Sequence, residues 1–163
     1  RCFLNRFTNR YDVVALDAFL GDSPPSHLMT REAFASIRRV LKPGGTLVIN
    51  SFASFDPGHD FLGQSLARTL QDVFVNVKIH GIFEGNTMYV ASAREKLEPL
   101  RPPDLENIHP ECRSRTRDTF RTLIEPKPSA GIVLTDDFNP SEFHDAANRE
   151  QLRQRNALAM RRL

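Results

Sequence analysis

With 163 residues the chain is long enough for one domain with a real core and too short for two of ordinary size. Its 22 Lys and Arg nearly balance 20 Asp and Glu, for a formal net charge of +2, so the overall field makes no case for a nucleic-acid partner and none is expected. No apolar run approaches the roughly twenty residues of a membrane span, so no membrane contact is expected from this segment, and no signal-peptide pattern opens the chain.

Residues 1–10 place Phe3, Leu4 and Phe7 at helical spacing before Asn9 and Arg10 stop the pattern. The chain opens at Arg1 almost directly in this segment, as a processed or truncated piece would. Val13-Val14-Ala15-Leu16 then reads as a parallel strand buried on both faces, and Asp17 ends it. A charge is costly inside a sheet, but at the carboxyl edge it faces the crevice where open α/β sheets bind ligands. The plain structural alternative is that Asp17 only terminates the strand or caps the next turn. Gly21, Asp22, Ser23 and Pro24-Pro25 can continue neither helix nor strand, so an acidic loop follows at that edge.

From Thr30 the pattern is helical, with Thr30 as cap, Glu32 at the positive end of the dipole, and Ala33, Phe34, Ile37, Val40 and Leu41 on one face. Lys42-Pro43-Gly44-Gly45 stops the helix, and Thr46 to Asn50 is a second buried strand. If the two strands are parallel, Asn50-Ser51 lies at the same edge as Asp17. A second amphipathic helix is expected between Pro57 and Val73, then an alternating strand with Val75, Val77 and Ile79 on its apolar side. Glu84-Gly85-Asn86 signals a turn, and Thr87 to Ala93 completes an antiparallel hairpin. Strand, helix, strand, helix and terminal hairpin make an α/β layout over residues 1–94.

Residues 95–130 form a Pro-rich insert, with one short polar helix over Arg113 to Leu123. His109-Pro-Glu-Cys112 reads as a surface turn rather than a metal site, and the dispersed histidines predict no metal. Residues 131–163 comprise an apolar run, the paired acids Asp136-Asp137, an Asn-Pro turn, and a basic helix opening at Ser141 with Leu152, Ala159 and Leu163 on one side. The distant cysteines Cys2 and Cys112 make no disulfide framework, which fits a reducing, cytoplasmic setting.

Tyr11-Asp-Val-Val-Ala-Leu-Asp17-Ala-Phe, the stretch from Asp22 to His27-Leu28, Arg38-Arg-Val-Leu-Lys-Pro-Gly-Gly45 and Leu134-Thr-Asp-Asp-Phe-Asn-Pro140 together resemble the spermidine synthase-like aminopropyltransferases. The resemblance implies the carboxyl-terminal half of a Rossmann-like, class I methyltransferase fold, with strand order Tyr11, Thr46, Thr87, Val75. It implies transfer of an aminopropyl group from decarboxylated S-adenosylmethionine, as co-substrate, to a small-molecule di- or polyamine. By the same resemblance Asp17 is the catalytic acid that takes a proton from, or orients, the attacking amine. Asp22 is the second acid, Asp136 and Asp137 add to substrate binding, and Ala18, Pro24 and Pro25 lie on the adenosyl side.

Ala18-Phe19 stands where the commonest synthase pattern has two serines, and the glycine-rich loop that grips the nucleoside is not among these residues. The chain is therefore expected to lie past the cofactor-binding half. Its Tyr11 strand would then be an edge that pairs with that half or forms a homo-oligomer. An S-adenosylmethionine-dependent methyltransferase and a non-catalytic interaction module on the same fold are the competing readings.

Overall fold

The computed structural model describes residues 4, 6, 10–19, 25–81, 86–99, 101–127 and 130–160, the last helix with only part of its side chains. The expectations for Phe3 and Phe7, for Asp22 and Pro24, for the Glu84-Gly85 turn, and for Leu152, Ala159 and Leu163 lie outside what is described.

Four strands form one sheet: β1 (Tyr11–Leu16), β2 (Leu41–Ser51), β3 (Asn76–Gly81) and β4 (Thr87–Ser92), in the order β1-β2-β4-β3. β1 runs parallel to β2, and β4 lies antiparallel between β2 and β3, as expected. Tyr11 pairs with Leu41 and Val13 with Thr46, so Lys42-Pro43-Gly44-Gly45 is an irregularity inside β2 rather than a turn before it. Gly44 makes this possible by taking φ +72.

Helix α1 (Arg31–Val40) begins where Thr30 Oγ1 accepts from Ala33 N at 3.2 Å. It buries Ala33, Phe34, Ile37 and Val40, the expected stripe. Helix α2 (Phe61–Gln71) starts later than the Pro57 signal because Pro57 to His59 form a turn, with Gly58 at φ +83. Both helices cover one face of the sheet, where Leu47, Ile49, Ile79, Tyr89 and Ala91 are buried. Burial of the Tyr89 phenol pushes its pKa far up, and its hydroxyl donates to the Gly63 carbonyl at 3.2 Å.

β1 is not buried on both faces. Val14 and Leu16 pack towards the core, while Val13 is 57% exposed and Ala15 is exposed too. The composition of this strand suits cover on two sides, and among the described residues helices cover one. Val75, expected inside the alternating strand, lies just before β3 and is 64% exposed.

Helix α3 (Pro110–Arg121) starts three residues earlier than expected, and it absorbs the predicted surface turn. His109 is its N-cap and Pro110 opens the first turn, where a missing N–H costs nothing. The outer edge of β3 is closed by the segment after α3: Ile124 N donates to Ile79 O at 2.8 Å, and Leu123 bridges to His80. The last helix, α4 (Ser141–Met160), contacts α2.

Lys127 and residues 130–134 lie as a strap along α2. Lys127 N donates to Gln64 Oε1, Ile132 N to Ser65 Oγ and Leu134 N to Thr69 Oγ1, at 2.9, 3.1 and 2.9 Å. Gln64, Ser65 and Thr69 are thus buried polar residues with a purpose, since a buried backbone N–H left unpaired is costly. Gly131 takes φ +73 within this strap, and a Cβ there would lie 2.5 Å from Ser65 N. Gly131→Ala should therefore destabilise more than Gly58→Ala, which has the same handedness but open space around it. Left-handed backbone alone costs about 1–2 kcal/mol for either alanine. Urea midpoints of the two variants measure the difference, and equal midpoints would show that the strap does not need this close approach.

The strap ends on α1: Arg31 N donates to Leu134 O at 2.8 Å, and Asp136 N donates to Glu32 Oε2 at 3.0 Å. Burial pushes the Glu32 carboxyl up, but the backbone donors of Glu32 and Asp136, with the Arg31 guanidinium, outweigh it and hold the group below its ordinary 4.5. A lowered carboxylate contributes stability in full at neutral pH and loses it as pH falls below that value. Melting temperatures at neutral pH and near about pH 3 should thus fall less steeply with acid in Glu32→Gln than in the native chain.

Candidate functional site

The carboxyl edge of the β1–β2 pair builds the site. Leu16 is opposite Ile49 in the parallel register, so the next residues leaving each strand, Asp17 and Asn50, meet. Asn50 Nδ2 donates to Asp17 Oδ1 at 3.1 Å, and the Asp17 side chain is solvent-exposed. The strand end, rather than loop packing, sets this carboxylate's position. Two residues further, the rings of Phe19 and Phe52 lie 5.4 Å apart and hold the two exits together.

Two polar atoms at the end of β2, Asn50 Oδ1 and Ser51 Oγ, are buried without a hydrogen-bond partner among the described residues. An unmet buried acceptor or hydroxyl costs about 1–3 kcal/mol, which a donor entering the edge would recover. β4 begins at the same edge, where buried Thr87 pairs with Ser51 and donates from Oγ1 to the Ala53 carbonyl at 2.7 Å.

The chain re-enters the described structure at Pro25, half-buried and extended, which leads into a short 3-10 helix (Ser26–Leu28). This segment is clamped to the late acidic turn. Asn139 Nδ2 donates to Ser26 O at 2.7 Å, and Ser26 Oγ donates to Glu142 Oε1 at 2.6 Å. Thr30 Oγ1 donates to Asp136 Oδ1 at 2.7 Å, so one hydroxyl both caps α1 and ties down Asp136.

Of the residues singled out in the sequence, Asp17 stands at the sheet edge and Ala18 follows it half-buried. Asp136 is held by Thr30, and both it and Asp137 beside it are exposed. Ser26, Asn139 and Glu142 were not foreseen as a clamp. Their pairing spans more than a hundred residues, and only the Asn-Pro turn at 139 and 140 hinted at a fixed loop. Among the described residues no three His, Cys, Asp or Glu side chains gather as a metal-binding group, and no helix is long and apolar enough to cross a membrane.

No family model matches the chain. A probable polyamine aminopropyl transferase of Bifidobacterium longum (strain NCC 2705) is 30% identical over 165 aligned positions, covering 87% of this chain and 36% of the relative. A polyamine aminopropyltransferase of Vibrio vulnificus (strain CMCP6) is 44% identical over 45 residues, covering 28% of this chain and 15% of the relative. The chain thus spans well under half the length of either relative.

Among solved structures, a probable spermidine synthase from Corynebacterium glutamicum ATCC 13032 superposes with a TM-score of 0.51 at 22% identity, over 74% of this chain and 42% of that one. A spermidine synthase in complex with the transition state analogue AdoDATO gives 0.51 at 20% identity, over 76% and 45%. These structural likenesses establish the fold, part of a Rossmann-like α/β sheet. In sequence the chain is similar to part of the polyamine aminopropyltransferases.

Proposed function

We propose that this chain carries the amine side of an aminopropyltransferase, the carboxyl-terminal half of a catalytic domain. The observation that carries the reading is the Asp17 carboxylate at the end of β1, held by Asn50 from the end of β2. The 30% identity to a probable polyamine aminopropyl transferase over 87% of the chain supports it.

The donor is decarboxylated S-adenosylmethionine, which brings a sulfonium-activated carbon. The acceptor amine's nitrogen forms a bond to that carbon as the carbon–sulfur bond breaks and a neutral thioether leaves. The nitrogen then carries a surplus proton, and Asp17, a carboxylate beside it, takes the proton away. An anion on the sheet edge also holds the cationic acceptor in place before reaction. Asn50 Oδ1, an unmet acceptor next to Asp17, suits the second N–H of a primary amine.

In this reading Asp22 is the second acid of the loop and Asp137 an exposed third. Asp136 positions the turn that presents Asp137, acting through Thr30 and Glu32. Ala18, Pro24 and Pro25 face the adenosyl group. The nucleoside-gripping loop belongs to the part of its relatives that this chain does not span, and the free edge of β1 pairs with that part or with a second copy. A cytoplasmic location goes with this chemistry.

In an upstream-extended form, Asp17→Asn should lower turnover with putrescine roughly a hundredfold, the scale of losing a general base. Calorimetry should show putrescine binding weakened by the same change. Unchanged turnover would remove Asp17 from the mechanism, and methyl transfer from S-adenosylmethionine to a neutral acceptor would replace the aminopropyl reading with a methyltransferase.

A further inference from the structure

The face of the sheet opposite α1 and α2 holds a cavity of about 540 Å³, within the ~300–1,000 Å³ typical of small-molecule sites. Val13 and Val90 form its floor from the sheet, and Leu97, Phe120 and Leu123 its walls. It lies on the sheet face away from the core, lined by Thr46 from the middle of the sheet, whereas Asp17 stands beyond the carboxyl end of β1.

Both walls are fixed by hydrogen bonds. Asn76 Nδ2 donates to the carbonyls of Arg94 and Glu95, and Arg94 N donates to Ser92 Oγ at 3.2 Å. On the other side His80 Nδ1 donates to Thr119 O at 3.1 Å, and Phe120 packs edge-on to the His80 ring.

Two cations line this apolar space without a partner among the described residues. Lys78 is half-buried and makes no hydrogen bond or ion pair with any described residue, and the Arg94 guanidinium makes none either. Arg94 lies across Gly44, whose added Cβ would come within 2.9 Å of Arg94 Nε. Of the two acids in the lining, Asp12 is spent on Lys42 at 2.8 Å, and exposed Glu98 has no ion pair among the described residues. Lys78 and Arg94 against Glu98 leave one positive charge in excess. A partly desolvated ammonium in an apolar cavity is unfavourable until an anion joins it, and a guanidinium receives a carboxylate through two parallel hydrogen bonds.

We propose that this cavity binds a medium-chain aliphatic carboxylate, its chain against Val13, Val90, Leu97 and Phe120 and its head group between Lys78 and Arg94. A single negative charge matches the excess, and aliphatic side chains dominate the walls.

The probe is dodecanoate, titrated calorimetrically into the 163-residue chain, with dodecanol as its uncharged counterpart. One dodecanoate should bind per chain, and dodecanol about tenfold more weakly, as loss of a charge-assisted hydrogen bond predicts. Lys78→Met and Arg94→Gln should each raise the dodecanoate Kd by a similar factor, whereas Lys78→Arg, which keeps the charge, should retain binding. Glu98→Gln should tighten it. Unchanged far-ultraviolet dichroism in these variants separates loss of the site from loss of the fold. No binding, equal affinity for dodecanol, or insensitivity to both cation changes would each overturn the assignment. An apparent affinity that falls as protein concentration rises, with dimers in sedimentation, would give the groove to a second copy of the chain and overturn it as well.

Discussion

The parallel pairing of β1 with β2 is the constraint on which the rest depends. It sets Leu16 against Ile49 and thereby brings Asp17 to Asn50. It also commits α1 to a crossover on one face, because parallel neighbours cannot be joined by a tight turn. The pairing survives the awkward Lys42-Pro43-Gly44-Gly45 stretch because the chain bulges there: Pro43 offers no N–H to the ladder, and Gly44 absorbs the bend with a positive φ. Beyond the bulge, residue-for-residue register resumes from Val13 with Thr46 to Leu16 with Ile49. A one-residue slip would turn Leu47 and Ile49 out of the core and bring Val48 in.

The second organising feature is the strap along α2. An amphipathic helix on a sheet normally turns its polar face to water, yet Gln64, Ser65 and Thr69 are buried here. They act as a side-chain ladder for a segment that forms no strand of its own, and Leu134 caps the arrangement as a fully buried residue. The strap then delivers Asp136 to Thr30 and Asn139 to Ser26. The late acidic turn is therefore coupled to the loop after β1 through α1 and the 3-10 turn.

Periodicity made the helices and strands legible, and the family resemblance supplied the sheet order. The Thr30 cap and the stripe of α1 follow from local chemistry, and so does the meeting of Asp17 with Asn50 once the strands are parallel. What could not be read depends on distant partners. Ser65 and Thr69 fall on the apolar side of the helical pattern, but what their hydroxyls and the buried Gln64 bond to emerges only once Lys127, Ile132 and Leu134 are placed against them. The start of α3 was misplaced because Pro110 was read as a breaker, when at the first turn it is a starter. The acceptance by Asp136 of a hydrogen bond from Thr30, more than a hundred residues earlier, had no local signal either.

The error over β1 has a different origin. Val-Val-Ala-Leu describes a strand with cover on both faces, and the composition of a strand reflects the surroundings in which it folds. Here α1 and α2 supply one cover, and among the described residues the other face has only α3 and the segment around Leu97 set back from it, leaving a hollow. β3 is shielded along its outer edge by Leu123 and Ile124, whereas β1 has no neighbour beyond it among the described residues. Exposed edges invite pairing, and exposed apolar area forgoes about 25 cal/mol per Å² that burial would contribute. The strand carrying the catalytic candidate is thus the least supported in the sheet. Asn50 and the Phe19–Phe52 contact fasten its end to the central strand, so the position of Asp17 follows from β2 even where β1 itself lacks cover.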